Sequence, residues 1–459
     1  MIEEGAKVKA QPAHLHPGKG ESDGFALAQA ATDPVDVEHL NYNVKTSVDA
    51  YEKVGRKNPK WDAEAKKCLL NFSRVRAWTN DSPHPVIQDL RAGLVKATEL
   101  GCEDILIRYL RLRFVDTPAG KATPASFEQC AAALEKSDYP EIRKFYGSYW
   151  AGKSALQRGV PGPASGPMLV TAAAHLGKAM EDPLMPLREA DQTCELIMTA
   201  PWWADPIRWE CYQAFEKPLT NRWGSSSMAL LARGRAWLSY AMKARGTGPA
   251  ETVSDAARKQ MAERAKVAAE ALEAAWALDP QDDNICLEMV RTELADGKRR
   301  ERMETWFRRG MEVNPANHDL CLAKLDYLRP RWHGSLKEMV DFGRECTTNS
   351  AFQGAVRLML ADAHNEVARE IQDEEKRAAY WKQAKVWSDI QFTFEQFFKL
   401  YPEADGYRHD YAQYAAWAGQ WQEFLDQVRK FPSTNHAFFG GVEPFNRLLK
   451  QAERNVKKK

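Results

Sequence analysis

An eight-residue segment in the first half of the chain matches the phosphate-loop pattern G-x-x-x-x-G-K-[ST]. It runs from Gly147 to Ser154 and reads GSYWAGKS. In a phosphate loop the glycines let backbone N–H groups surround phosphate after a buried strand, the lysine contacts the phosphates and the hydroxyl binds Mg²⁺. The preceding residues carry charges, and Ile142, Phe145 and Tyr149 recur at helical spacing. We therefore expect an aromatic helix with glycines at packing contacts, not a nucleotide site.

Other residue types that could catalyse a reaction or bind a metal are scattered along the chain. The two His-Asp pairs are His318-Asp319 and His409-Asp410, and the sequence contains neither an H-E-x-x-H motif nor a G-x-S-x-G motif. None of the eight cysteines forms a C-x-x-C pair, which argues against a zinc ribbon or a thioredoxin-like site. We expect buried thiols, no metal and no cofactor.

Two segments concentrate arginine, histidine and aromatic residues where a loop meets a helix. Guanidinium and indole groups can stack and hydrogen-bond on a peptide, a carboxylate or a sugar. The alternative is that Trp332 packs against a neighbouring unit while Arg331 caps backbone carbonyls. The residues predicted to bind a partner are Arg329, Arg331, Trp332, His333, Arg408, His409 and Tyr411.

Length and composition narrow the class of protein. The chain has 459 residues, 64 Lys and Arg against 63 Asp and Glu, and 44% hydrophobic residues. The balanced charge argues against a nucleic-acid binder, and no apolar run approaches the 18 residues of a membrane span. No apolar stretch of signal-peptide length follows the N-terminus, so we expect a cytoplasmic protein unless a mis-assigned start codon hides an export signal.

Hydrophobic periodicity predicts helices almost everywhere after residue 35. Residues 1–35 are polar and lack periodicity, so we expect a disordered arm. Thr123-Pro124 and Ser335 have the chemistry of helix starts. Alternating strand patterns are essentially absent. The predicted helices are 37–54, 61–78, 84–99, 103–114, 125–136, 139–156, 166–180, 185–199, 204–215, 225–244, 258–278, 283–296, 299–312, 317–328, 335–347, 351–372, 375–400, 407–418 and 421–430.

The second half of the sequence contains an internal repeat with a period of 35 residues. Pairs of identical residues separated by this period are Pro280 and Pro315, Cys286 and Cys321, and Phe307 and Phe342. A period of this length is typical of stacked helix–turn–helix units. One short hairpin cannot bury its apolar stripe alone, whereas stacked copies form a continuous core.

Residues 258–348 resemble tetratricopeptide repeats, in which a small, a large apolar and a small residue precede a proline at the end of the second helix. Ala268, Leu272, Ala275 and Pro280 have that order. Met303, Phe307, Gly310 and Pro315 have it with one departure, because Met303 replaces the small residue. Residues 407–430 resemble one more hairpin, because Ala412, Gly419 and Trp421 fall where the family has a small residue, a turn glycine and an aromatic residue. Residues 351–400 depart from the pattern by inserting longer helices. The resemblance implies a helical solenoid and a binding role.

The sequence therefore predicts an all-α protein, a right-handed α-α superhelix of tetratricopeptide-like helix-turn-helix units. We expect a disordered arm at 1–35, an N-terminal helical region at 36–244 and a repeat region at 245–459. The predicted function is a non-catalytic scaffold for a protein or peptide partner, without nucleic acid or a membrane span. The alternative is an α/α-toroid enzyme acting on carbohydrate, with Glu210 and Asp410 as candidate carboxylates. The partner and the oligomeric state stay open.

Overall fold

The computed structural model describes residues 36–79, 86–157, 165–199, 207–246, 252–296 and 300–457. These residues form helices joined by turns and loops, and they contain no β-strand. They divide into two compact units, the first reaching Pro280 and the second beginning at Gln281. None of the described helices is both long enough and apolar enough to cross a membrane. The disordered arm predicted for 1–35 lies outside the described residues.

The first unit is built from helices that pack mainly against their neighbours in sequence. Its helices are α1 (Val37–Val44), α2 (Ala50–Val54), α3 (Asp62–Ala77), α4 (Val86–Glu99), α5 (Ile105–Arg111), α6 (Pro124–Glu135), α7 (Glu141–Gln157), α8 (Ser165–Met180), α9 (Leu187–Met198), α10 (Ile207–Trp223), α11 (Ser227–Arg245) and α12 (Asp255–Leu278). A π-helical turn, Lys45–Asp49, joins α1 to α2. Helix pairs in contact include α3 with α4, α7 with α8, and α11 with α12.

The second unit is also helical and ends in a helix that the sequence pattern did not predict. Its helices are α13 (Asp283–Asp296), α14 (Arg300–Val313), α15 (His318–Tyr327), α16 (Leu336–Thr348), α17 (Met359–Glu370), α18 (Glu374–Trp381), α19 (Ala384–Leu400), α20 (Arg408–Trp417), α21 (Trp421–Val428) and α22 (Val442–Val456). Helix α13 contacts α14 and α15, α15 contacts α16 and α17, and α17 contacts α19. Farther along the chain, α20 contacts α21, and α21 contacts α22.

Local cap chemistry places the helix starts where the sequence predicts them. The Thr123 hydroxyl accepts a hydrogen bond from Ser126 N at 3.1 Å, and Pro124 occupies the first turn, where its missing N–H costs no hydrogen bond. Ser335 Oγ accepts from Glu338 N at 3.3 Å at the start of α16. The all-α prediction is confirmed.

Helix α10 is longer than predicted, because a proline does not end it. The predicted helix ended at residue 215, whereas α10 continues through Pro218 to Trp223. Pro218 has no N–H for the carbonyl of Ala214, four residues earlier. Gly177 of α8 packs closely at that carbonyl, since a Cβ built on Gly177 would lie 2.5 Å from Ala214 O. The close approach of α8 covers the carbonyl that the proline leaves without a helical partner.

The single helix predicted for 375–400 is two helices, with a break at Lys382 and Gln383. Trp381 of α18 is buried in the same core as Val386 and Ile390 of α19. Residues 381 and 386 would lie on different faces of one uninterrupted helix. The break therefore lets both helices bury apolar side chains in one cluster.

Helix α22 follows Gly440 and Gly441 and lies beyond the last predicted helix, 421–430. Pro444 lies in its first turn, where backbone N–H groups have no helical acceptor. Phe445 and Ala452 are buried, seven residues apart on one face, and Leu448 and Leu449 are partly buried against the same cluster. The helix thus covers the apolar residues at the end of the second unit.

The division between the compact units does not coincide with the sequence boundary at 244/245. Helix α12 packs along α11 and belongs to the first unit, and the division follows Pro280. The predicted region 245–459 is defined by sequence similarity and stays a prediction. All eight cysteines are unpaired; seven are buried and Cys130 is half-buried, so the expected buried thiols are found at all positions but one.

Candidate functional site

The first predicted partner-binding residue, Arg329, is held in an ion-pair network. It lies just after α15, and its side chain is 11% exposed. Its guanidinium pairs with Asp326 at 2.8 Å, with Glu366, and with Glu370 at 3.0 Å. The latter two belong to α17, so Arg329 fastens the end of α15 to the last turns of α17.

The neighbouring residues of this loop differ in how much surface they present. His333 is half-buried, lies 4.6 Å from the Tyr327 ring and donates from Nε2 to Leu294 O at 3.0 Å, which ties the loop to α13. Trp332 is half-buried and lies 6.2 Å from the His333 ring. Arg331 is exposed. The loop thus offers Arg331 and part of Trp332 to solvent.

The second predicted set, on α20, packs mostly into the interior of the second unit. Arg408 lies 4.2 Å above the Phe398 ring and donates to Asp405 at 2.5 Å. His409 is buried, and its Nε2 accepts from Asn435 N at 3.2 Å. The buried Tyr411 ring stacks on Phe394, with centroids 4.7 Å apart. These contacts position α20.

The segment that matches a phosphate loop lies inside α7 and follows no strand. Gly147 faces α6, where a Cβ would lie 2.7 Å from Leu134 Cδ1. Lys153 Nζ lies 4.4 Å from the Trp150 ring. Backbone N–H groups inside a helix are already bonded, so this segment cannot surround phosphate. Gly147 makes the packing contact that the sequence predicts.

No group of three or more His, Cys, Asp or Glu side chains within the described ranges could hold a metal ion. The candidate carboxylates of the carbohydrate alternative belong to different units, Glu210 to the first and Asp410 to the second. Glu210 lies 3.6 Å from Lys243, in a half-exposed ion pair.

The second unit brings together carboxylates that the sequence analysis did not connect. Asp362, Glu366 and Glu370 recur every four residues on α17 and are half-buried. His318, at the start of α15, pairs with Asp362 at 2.8 Å, while Arg329, just beyond the other end, pairs with Glu366 and Glu370. The starts of α15 and α17 are therefore adjacent, and so are their ends, which means that the two helices run parallel.

Helix α20 places a carboxylate and an indole near the acidic residues of α17. Asp410, Tyr414 and Trp417 are spaced by four and three residues and share one face of the helix. The negative charges of Asp362 and Asp410 both act on Tyr414. Trp417 is 41% exposed and packs 5.2 Å from the buried Trp381 ring. We call the acidic face the set Asp326, Asp362, Glu366, Glu370 and Asp410.

The negative charge of Asp362 raises the pKa of two neighbouring groups, His318 and Asp410. Burial disfavours protonated His318, but the hydrogen bond to Asp362 and the charge of that carboxylate outweigh burial and raise the pKa of His318. Burial, followed by the charge of Asp362, raises the pKa of Asp410 to about 6. Asp410 therefore changes charge near neutral pH, in contrast to an ordinary aspartate.

A polar cluster inside the first unit has a structural role. The fully buried Glu189 of α9 accepts hydrogen bonds from His39, from Asn43 at 3.1 Å and from the Tyr146 hydroxyl at 2.6 Å. Arg76 of α3 adds an ion pair at 3.4 Å. These contacts join α1, α3, α7 and α9. Because the His39 and Glu189 side chains have no exposed surface, a substrate does not reach them.

The comparison of this chain with protein-family models and with curated proteins gave no match. A function is therefore inferred from the geometry of the chain itself. Arg329, Arg408 and their neighbours were predicted from the sequence as partner-binding residues, whereas Asp362, Glu366 and Glu370 were not. The available signal was the four-residue spacing of these three acids, which is also typical of an ordinary solvated helix face.

Proposed function

We propose that the protein is a non-catalytic scaffold that binds a protein or peptide partner on its second unit. In this proposal the second unit is a right-handed stack of tetratricopeptide-like hairpins. The observation that carries the proposal is the acidic face, which gathers carboxylates from three helices beside the exposed Trp417.

The contacts between helices support the stacked arrangement. Helix α13 contacts its hairpin partner α14 and also α15, the first helix of the next hairpin. Helix α15 in turn contacts α17, and the pairs His318–Asp362 and Arg329–Glu370 show these two helices to be parallel. Parallel first helices of successive hairpins are a feature of such repeat arrays, whose inner surface binds extended partner segments.

The charge of the surface supports a cationic partner. The five carboxylates of the acidic face are accompanied by two guanidinium groups, those of Arg329 and Arg369, and by the His318 imidazole. A surplus of negative charge attracts lysine and arginine side chains and increases their rate of association. The Trp417 indole offers apolar area and a ring face next to these charges.

Peptide selection on the full chain tests this proposal. Random twelve-residue peptides displayed on phage are selected on the immobilised protein, and the enriched peptides are synthesised and titrated by fluorescence polarisation. We expect enrichment of Lys- and Arg-rich peptides. Their affinity should fall about tenfold for the double variant Asp362→Lys with Glu366→Lys, because two attractive contacts between a carboxylate and a peptide cation become repulsive. Affinity should also fall as salt is added.

Two control variants distinguish the acidic face from the remaining surface of the second unit. Glu443→Lys with Glu453→Lys makes the same charge change on α22, where both side chains are exposed, and should leave the affinity unchanged. Arg331→Ala with Trp332→Ala tests the loop predicted from the sequence. Enrichment of acidic or uncharged peptides, or equal loss of affinity in the α22 variant, would contradict the acidic face as the partner site.

A further inference from the structure

A chain of two hydrogen bonds links a tyrosine, a histidine and an aspartate in the second unit. The Tyr380 hydroxyl of α18 lies 2.6 Å from His364 Nδ1 of α17. His364 Nε2 lies 3.2 Å from Asp389 Oδ2 of α19. Arg344 of α16 donates to the same Asp389 oxygen at 2.8 Å. Four helices therefore hold these groups in place.

The order of the three groups matches the order needed for general-base activation of a hydroxyl nucleophile. The Asp389 carboxylate accepts from Nε2–H, which leaves Nδ1 as an acceptor for the Tyr380 proton. His364 is buried, whereas Tyr380 is half-buried at the end of α18. Tyr380 therefore keeps part of its side chain at the surface, while its base is shielded from solvent.

The charges around His364 favour the neutral imidazole at physiological pH. Burial lowers the pKa of His364; Asp389 opposes this effect, while the charges of Arg344 and Lys385 add to it. Burial, followed by the charge of Asp389, raises the pKa of Tyr380, so the phenol is protonated at rest. A neutral base next to a protonated hydroxyl is the resting state that general-base catalysis requires.

We propose that Tyr380 is a nucleophile that accepts acyl groups from activated esters, with His364 as its general base and Asp389 as the residue that positions His364. The proposal rests on the two hydrogen bonds and does not depend on the acidic face. It describes a single modification of Tyr380, without turnover of a substrate, and is therefore compatible with a non-catalytic scaffold. In the reaction Tyr380 Oη bonds to the carbonyl carbon, and the phenolic proton passes to His364 Nδ1. The bond from carbon to the leaving alkoxide or phenolate breaks, and His364 later releases the proton to solvent.

The experiment uses p-nitrophenyl acetate with the full chain, and mass spectrometry of proteolytic peptides locates the acetyl groups. Reversal by hydroxylamine distinguishes acetyl-tyrosine from acetyl-lysine. Tyr401 is an internal control, because it is also half-buried but its hydroxyl accepts a backbone hydrogen bond from Gly354 N at 2.8 Å and has no histidine or carboxylate partner within the described ranges. We expect Tyr380 to acetylate about 100-fold faster than Tyr401.

The pH profile separates an activated tyrosine from one that is only hydrogen-bonded. Above the pKa of His364 the rate at Tyr380 should reach a plateau, whereas the rate at Tyr401 should continue to rise with pH. His364→Gln, which keeps polar groups but cannot take a proton, should remove the advantage of Tyr380, and Asp389→Asn should reduce it. If His364→Gln does not fold, the profile of the unmodified chain decides. Equal rates at the two tyrosines, or a profile at Tyr380 without a plateau, would overturn the proposal.

Discussion

Phe307 of α14 and Phe342 of α16, which are 35 residues apart in the sequence, contact each other edge to face with ring centroids 5.5 Å apart. Lys324 of α15 lies over both rings, at 4.2 and 4.6 Å, and pairs with Glu304 at 2.6 Å. Residues at equivalent positions of the 35-residue repeat are thus in direct contact in the fold. Such contacts are expected when successive helical hairpins stack.

The close approach of helices at Gly310 makes this position sensitive to a single added carbon. A Cβ there would lie 2.4 Å from Leu320 Cδ2 and 2.8 Å from Cys286 Cβ. We expect Gly310→Ala to destabilise the second unit by about 1–3 kcal/mol, measured by urea unfolding. Gly406→Ala is the matched control, because no atom lies within 4 Å of its added carbon. Equal stability of the two variants would show that the contact at Gly310 is not tight.

Acid should weaken the first unit through Glu189 and His39. Burial opposes ionisation of Glu189, but the charges of Arg76 and His39 outweigh it and hold its pKa well below the ordinary value. Burial lowers the pKa of His39. Both shifts mean that the unfolded state binds more protons, so stability is lost as pH falls below about 6.5 and further below about 4.5.

Glu189→Gln tests this contribution by removing the buried charge. We expect a loss of about 3–5 kcal/mol at pH 7, because Arg76 then lacks its buried carboxylate. The difference from the unmodified protein should shrink as the pH falls below about 4.5, where the carboxyl group of the unfolded chain becomes protonated while Glu189 in the folded protein is still ionised. Thermal unfolding followed by circular dichroism between pH 2.5 and pH 8 provides the measurement. A difference that is constant over this range would contradict the assigned pKa shifts.

Asp410 should have the opposite pH dependence in the second unit. Its pKa is raised to about 6 in the folded state, so the stabilising contribution is present at low pH and is lost as pH rises through about 6. Asp410→Asn imitates the protonated form and should stabilise the protein by about 1–2 kcal/mol at pH 8, by about half as much at pH 5, and hardly at all below about pH 4, where the aspartate of the unfolded chain is protonated too. Asp319→Asn, at an exposed position, is the control. Loss of stability at pH 8 in Asp410→Asn would contradict this prediction.

The cysteines should react with Ellman's reagent according to their burial. Burial raises the pKa of Cys68 and Cys286 to about 12 and the pKa of Cys102 to about 11, which suppresses the reactive thiolate. Cys130 is half-buried, although burial raises its pKa as well. We expect only Cys130 to react quickly in the native protein and all eight thiols to react in denaturant. Fast reaction of two or more native thiols would contradict the packing described.

Helix positions could be predicted from the sequence because they depend on local chemistry. Thr123 and Ser335 identify helix starts through hydrogen bonds within one turn. Continuation of α10 through Pro218 could not be predicted, because it accompanies the approach of Gly177 from another helix. The candidate site could not be predicted for the same reason, because it depends on contacts between helices. Asp362 becomes a candidate only once the structure shows that His318 and Asp410 are its neighbours.

The most direct test of the stacked arrangement is a double-mutant cycle on Phe307 and Phe342. The variants Phe307→Leu, Phe342→Leu and their combination are unfolded in urea, and each single change should cost about 1–2 kcal/mol. The stacked arrangement predicts a coupling energy of about 0.5–1.5 kcal/mol between the two rings. Phe307→Leu combined with Phe445→Leu, in a separate cluster on α22, should be additive. Additive effects of the Phe307 and Phe342 changes would contradict direct stacking of successive hairpins.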